Sequence, residues 1–546
     1  MSLRGWLAWV VFAVACTLGV AQDASDSAAN DPVVQAMKTE LARSLEQLRL
    51  EHAQPPYFIE YSVIDLQQFT ANATFGALRN RLRVHGRAVR AVVRVGDYKQ
   101  DSYEGTGLGH VDLMPVDDDL LALRRQLWLA TDLAYKQALE ALTAKQAKLK
   151  QLEVETPVDD FARAPAIQVL TPLTRLEVDE DGWAQTLESV SALYREMRDT
   201  QSFESSLQFA AINRYLVNSE GTVVRQGSTT YTVNVTASAQ APDGMHLSRG
   251  HTVTTPRSQE LPSADEFRAS AKKALEELQA LRAAPLVEDE YRGPVLFGAS
   301  AADNVFLKLI APNILGRKPA PGSPARTLGE YAGSYKGRVL PDFISIIDDP
   351  TATTALGRSL MGTYAVDDEG VRGLAVTVID KGELAAYLLG RQPIRDFPAS
   401  NGHGRAGNSP VPAPAISNLF VRASSTLSSA ELKQKLIDLC AQRSLLYCYR
   451  VSNANQDLVP VLLYKVWVKD GHEELVRGAV FGELDNRALR NEIVAAGDDY
   501  KVSNNSGAPA HSVVAPSILF EELQVKRSTA NKQKLPVYGP PPAGGK

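Results

Sequence analysis

Cysteine is scarce, three residues in 546, which excludes a disulfide-dense scaffold and a cysteine-rich zinc module. Neither sign of charge dominates: 58 Lys+Arg stand against 63 Asp+Glu, so the chain has no global basic field of the kind that drives nucleic-acid binding. Beyond the extreme N-terminus no apolar run approaches the about 20 residues of a spanning helix. Phosphate-binding loops and dinucleotide fingerprints are missing, and Gly357-Arg358-Ser359-Leu360-Met361-Gly362 has one residue too many for a nucleophile elbow. None of the eight histidines stands in His-Glu-x-x-His or His-Glu-x-x-x-His; His472-Glu473 starts such a string, but directly after the hairpin signal Asp470-Gly471. What remains is 44% hydrophobic and 22% charged, a composition that builds packed cores and not a collagen-like or disordered chain.

The first residues read as an address. A short positive region ending at Arg4 precedes an almost wholly apolar run from Gly5 to Val20, and Gly19 and Ala21 put small residues at −3 and −1 of a cleavage site. This predicts a signal peptide over 1–21 and a soluble periplasmic or secreted protein. The competing reading makes Ala13-Val14-Ala15-Cys16 a lipobox and Cys16 a lipid anchor. Either way Cys440 and Cys448 remain as an even pair in an oxidising compartment, open to a disulfide or to two buried thiols.

Periodicity divides the rest. Asp31-Pro32 caps a helix carrying Val34, Met37, Leu41, Leu45 and Leu48. A strand follows over 57–64. From Arg81 to Val95 apolar residues alternate with arginines and change parity around Gly86, which predicts a bulge or a turn there. The arginine stripe lacks interleaved aromatics and reads as a solvated face. Asp117-Asp118-Asp119 opens a long helix to about Leu152, acidic residues suiting the positive end of a helix dipole. Further expectations are a helix over 183–197, strands over 203–217 and 229–237 about the turn Asn218-Ser219-Glu220-Gly221, and a helix from the capping box at Ser263 and Glu266 to about Ala283. After about Leu286 short apolar runs separated by turns indicate mostly antiparallel sheet, with helices over 301–310 and 429–442. The predicted organisation is α+β: an N-terminal α/β domain over 31–285, a β-rich, mostly antiparallel C-terminal domain over 286–528 and a disordered tail over 529–546.

The acidic runs Asp348-Asp349 and Asp367-Asp368-Glu369 lack the spacing of a calcium loop and read as turns. Ser400-Asn401-Gly402-His403-Gly404-Arg405-Ala406-Gly407 is a candidate binding element, its glycines letting backbone approach a ligand, with His403 and Arg405 at the tip and Arg405 suited to a carboxylate. The other reading is a mobile surface loop.

Taken in order, Ile347-Asp348-Asp349-Pro350-Thr351, Val366-Asp367-Asp368-Glu369-Gly370-Val371, Val378-Ile379-Asp380-Lys381-Gly382-Glu383-Leu384, the segment Ser400 to Arg405, and Asn418-Leu419-Phe420 resemble the C-terminal domain of the TldD/PmbA metallopeptidase family. Asn218-Ser219-Glu220-Gly221 and Val476-Arg477-Gly478 add to the resemblance. It implies two domains, dimers enclosing a cavity for unfolded peptides, and in the catalytic branch a helix with His-Glu-x-x-x-His completed by a later cysteine. The corresponding helix lies over 303–316 and puts Leu307, Lys308 and Pro312 at the His, Glu and His positions; Ser503-Asn504-Asn505-Ser506-Gly507 stands near the expected cysteine without a thiol. A catalytic zinc takes three protein ligands, and these positions supply none. The chain therefore resembles the metal-free branch, implying a non-catalytic subunit without cofactor that assists proteolysis by a catalytic TldD-like paralogue, or pairs with itself, with Asn401, His403 and Arg405 as peptide-binding candidates. Two alternatives stay open: an active peptide hydrolase whose zinc is held by non-standard ligands, His403 and the acidic turns among them, and an envelope peptide-binding or scaffold protein.

Overall fold

The computed structural model describes residues 30–103, 107, 109–153, 158–197, 199–288, 290–407, 411–529 and 533–538. The expected signal peptide, Cys16 and much of the 529–546 tail lie outside them. No helix among the described residues is long and apolar enough to cross a membrane.

The first half is one sheet with helices on one face. Its strands are β1 (Pro56–Thr74), β2 (Ala77–Val95), β3 (His110–Met114), β4 (Gln168–Leu170), β5 (Ser202–Asn218), β6 (Val223–Gln240) and β7 (His246–Thr255), in the order β3-β2-β1-β5-β6-β4 with β7 also on β6. All pairs are antiparallel except β4 with β6. Side chains alternate across a strand, so Ile59, Tyr61 and Val63 of β1 share a face. They pack on α1 (Pro32–Gln47) and α2 (Leu120–Leu152) through Val34, Met37, Leu123 and Leu127. Farther along, Phe69, Phe209 and Val233 meet α3 (Glu180–Ser191) and α4 (Ala264–Ala283) through Leu187, Phe267 and Leu278.

Gly86 is neither a turn nor a bulge. It stays in register opposite Leu66, and the register shifts fall at Pro56/Phe58 and Asn72/Ala73. The change of parity has another cause: from Val89 to Val95 β2 is buried on both faces, by helices on one side and the second domain on the other, so alternation is no longer required there.

Among the described residues the second half holds two two-stranded sheets and two large ones. One is ordered Glu383–Leu384, Val376–Asp380, Ile344–Asp348, Asn418–Ala423, His511–Ala515 and Lys501–Asn505; the other Glu473–Val476, Pro460–Trp467, Tyr447–Ala454, β8 (Glu290–Phe297), Ile518–Arg527 and Ala479–Phe481, with Ile493–Ala496 also on Ile518–Arg527. Pairing is antiparallel except for two parallel pairs. Phe297, Phe306, Ile346, Val378, Leu419 and Phe520 belong to the common core. Helix Ser429–Gln442 starts with a capping box of Ser428 and Glu431, and Cys440 near its end is disulfide-bonded to Cys448 on the neighbouring strand. The stretch 400–414 is less loop-like than its composition suggests, since Gly404–Ala406 pairs with Pro412–Pro414.

The domains are joined by polar side chains. Buried Arg391 donates through Nε and Nη2 to the Ala162 carbonyl at 2.9 and 2.6 Å and through Nη2 to Glu220, and it stacks over Phe161 at 4.0 Å. Lys318 Nζ donates to the Val158 and Asp159 carbonyls and to Asp160. Gln226 Nε2 donates to the Val366 carbonyl, and Arg477 pairs with Asp243.

Asp31 shows how one residue serves both local and tertiary structure. Its Oδ1 accepts from the Val33 and Val34 N–H groups, capping α1, while Oδ2 accepts from buried Arg225 at 2.7 Å. Asp31→Ala removes the cap and strands a buried guanidinium, and should destabilise the protein by about 3–5 kcal/mol in denaturant unfolding. Asp31→Asn, which keeps an acceptor at the cap, should be milder; equal losses would refute this division of labour.

Candidate functional site

The helix expected to carry a metal motif is built from three unlike turns. Ala299–Val305 is a short α-helix, α5, without a side-chain cap at Gly298; Phe306–Ile310 widens into a π turn, and Ala311–Asn313 tightens into a 3₁₀ turn with Pro312 inside. A proline cannot donate the backbone bond that would continue an α-helix, and Asn313 ends the segment by donating to the Leu309 carbonyl and accepting from the Glu330 N–H. Asp303, buried in α5, accepts from Ser503 Oγ and from the Asn304 N–H. Burial raises its carboxyl above the ordinary carboxylate value, and these hydrogen bonds oppose the shift.

Leu307, Lys308 and Pro312 line an open groove of about 600 Å³, with Leu315, Ile416 and His511 among the facing residues. Lys308 pairs with exposed Asp457 at 3.0 Å. His511 is the one imidazole lining the groove, and no signal in the sequence singled it out: it stands four residues beyond the Ser503–Gly507 stretch and in no motif. Its Nδ1 lies 3.0 Å from the Pro509 carbonyl. A carbonyl only accepts, so Nδ1 carries the proton, and buried Nε2 has no hydrogen-bond partner. Burial holds the imidazole below its ordinary pKa, the Pro509 bond opposes that, and the Arg405 charge adds to it.

These residues do not fit a catalytic zinc. Leu307 has no lone pair, Lys308 is a cation engaged with Asp457, Pro312 is no ligand, and Asn505 and Gly507, which also line the groove, offer no thiolate. Three protein donors are the usual minimum, and no group of three His, Cys, Asp or Glu among the described residues is placed to hold a metal ion.

The second candidate element turns inward. His403 is fully buried, with Nε2 3.0 Å from Asp348 and Nδ1 facing both the main-chain and the side-chain oxygen of Asn401. Asp348 also accepts from the Ser417 N–H and hydroxyl. Asn401 accepts from the Leu389 N–H and donates to the Tyr387 carbonyl. Arg405 is largely buried over the Tyr364 ring at 4.3 Å and stands 3.8 Å from Asp368. The expectation of an exposed tip at His403 and Arg405 is therefore corrected: all three side chains hold the domain interior together, and both nitrogens of His403 are committed. The glycines do permit a close approach, but the approaching groups are internal. A Cβ at Gly404 would meet the Glu369 carboxylate, and one at Gly402, where φ is +77°, would meet the Arg372 carbonyl.

The acidic turn completes this interior. Asp367 accepts from the Glu369, Val371 and Gly404 N–H groups, and Glu369 from the Arg391 N–H at 2.6 Å. Burial, and then the Glu369 charge, push the Asp367 carboxyl well above the ordinary carboxylate range; burial raises Glu369 too, against its bond from Arg391. A carboxyl raised on folding contributes stability that is complete below its unfolded pKa and is lost as pH rises through the folded value. Glu369→Gln keeps an acceptor for Arg391 and removes the like charge, so its melting temperature should fall less than the parent's between about pH 5 and pH 9. Parallel pH profiles would count against the coupling.

Residues 290–527 match the family described as PmbA/TldA metallopeptidase C-terminal domain. A metalloprotease of Methanocaldococcus jannaschii is 34% identical over 96 residues, 17% of this chain and 19% of that relative, so the match spans under a fifth of its length. Among solved structures, a Thermotoga maritima protein described as a candidate modulator of a DNA gyrase superposes with a TM-score of 0.57 at 16% identity, over 86% of this chain and 96% of the other. TldE from Thermococcus kodakarensis gives 0.57 at 13% identity, over 90% and 99%. At such identities the structural likeness speaks for the fold alone, and it extends through both domains. The family match identifies residues 290–527 as similar to the C-terminal domain of PmbA/TldD-type metallopeptidases, in agreement with the ordered motifs from Ile347 to Phe420.

Proposed function

We propose that this protein is a metal-free, non-catalytic member of the TldD/PmbA family, located in the periplasm or outside the cell, which pairs with a catalytic paralogue and helps form the cavity that holds unfolded peptides. The observation that carries the reading is the groove beside the 299–313 segment, whose wall holds Leu307, Lys308 and Pro312, the residues that the resemblance puts at the motif positions. A water-activating base must lose its proton and accept one from water. An ammonium paired to Asp457 at 3.0 Å does neither. The apolar wall of Leu307, Pro312, Leu315 and Ile416 suits contact with a peptide, not ligation of a cation.

The test is purification of the processed chain from its native source, with metal quantification and peptidase assays before and after separation from co-purifying proteins. The expected result is no stoichiometric zinc, no activity in the isolated chain, and activity in the complex. Stoichiometric zinc together with activity of the isolated chain that His511→Ala abolishes would overturn the proposal in favour of a hydrolase with unusual ligands. His511 is the informative position because His403 is an internal strut.

A further inference from the structure

A cavity of about 300 Å³ lies at the seam between the two domains, and none of its lining residues belongs to the groove. Lys145, Val158 and Asp160 come to it from the first domain, the 318–326 segment with Gln392, Ile394 and Arg395 from the second. Small-molecule sites gather at domain seams and measure roughly 300–1,000 Å³. Four of the lining side chains, Lys145, Lys318, Arg326 and Arg395, are cations, whereas Asp160 is the one carboxylate among the described residues that line the cavity.

The ion pairs leave part of that charge uncompensated. Arg326 is matched from outside the lining by Asp396, 2.7 Å away. Asp160 serves two ammoniums at once: Lys145 is 2.6 Å from one carboxylate oxygen and Lys318 3.0 Å from the other. Asp101 stands 4.0 Å from Lys145 but is committed to buried Arg94. The other bonds of the two lysines go to the Tyr103, Val158 and Asp159 carbonyls, which carry no charge. One negative charge is thus divided between two cations, of which Lys145 is buried, and positive charge withdrawn from water without a counter-charge is costly.

Arg395 adds a guanidinium whose side chain has no hydrogen-bond or ion-pair partner among the described residues. Its main chain is fixed in a tight turn: Ile394 and Phe397 exchange N–H···O bonds of 3.1 and 3.0 Å, and Asp396 takes φ +72°. A guanidinium offers a planar fork of donors that matches a carboxylate or a phosphate. Pro319, Pro321 and Ile394 give the wall an apolar part for the body of a ligand. We propose that this cavity binds a small organic dianion, one anionic group gripped by Arg395 and the other held by the field of Lys145 and Lys318. A dianion fits because two positive charges lack a counter-charge, one on Arg395 and one shared by the lysines. By touching both domains, the ligand forms a second tie across the seam beside Arg391.

The test uses the full processed chain and sodium glutarate as the probe, followed by calorimetric titration, thermal unfolding and amide hydrogen exchange, with ionic strength held constant by sodium chloride. Glutarate should bind saturably with a Kd of about 1 mM or below, raise the melting temperature and slow exchange over 322–326 and 391–395. Butyrate, with one charge, and glutaramide, with none, should each bind at least about tenfold more weakly. Arg395→Gln should weaken glutarate binding by about tenfold and leave the melting temperature without ligand unchanged, because the side chain has no partner to lose. Arg395→Lys, which keeps the charge but not the fork, should fall between the two. Absence of saturable binding, equal affinity for butyrate or glutaramide, or unchanged affinity in Arg395→Gln would overturn the proposal.

Discussion

The buried guanidinium of Arg391 ties the two domains into one molecule. A cation removed from water costs far more than one hydrogen bond returns, so its partners must all be in place together. Ala162 and Glu220 come from the first domain, and both Phe58 and Phe161 lie beneath the guanidinium. From the second domain, Glu369 accepts the Arg391 main-chain N–H, and the same acidic turn, through Asp367, holds the Gly404 strand. Separating the domains would expose this group of charges piecemeal, each with its partner missing. Near the joint β2 is accordingly buried on both faces from Val89 to Val95, whereas among the described residues the far half of the sheet has α3 and α4 on one face only.

That joint explains why so many residues with catalytic chemistry are structural here. His403, Asp348, Asp367, Glu369 and Arg405 are the side chains from which a site would ordinarily be assembled. Each is buried or nearly so and bonded to its neighbours. The open groove, by contrast, is lined mainly by aliphatic carbons and prolines, with a lysine held by an aspartate at its mouth.

Much of the fold was legible because periodicity reports burial on one face. The capped helix at Asp31, the long helix after Asp119, the capping box at Ser263 and the hairpin at Asp470-Gly471 were all readable from local rules, and each governs only a few neighbouring bonds. Gly86 was misread because a strand covered on both faces has no reason to alternate. The 400–407 segment was misread for a related reason: glycine and histidine in a short run signal close approach and polar contact, but not whether the approaching group is a ligand or Glu369. His511 carried no signal, since its place in the groove depends on a sheet that brings it opposite a helix some two hundred residues earlier in the chain.

The sequence by itself determined most of the elements, the α+β class and the resemblance of the C-terminal half to the TldD/PmbA family, because residue type and local spacing suffice for each. Only the tertiary structure decided which polar groups face inward and what lines the groove. Those outcomes depend on contacts between segments far apart in the chain, and burial, the quantity that separates a strut from a ligand, does not exist until those segments meet.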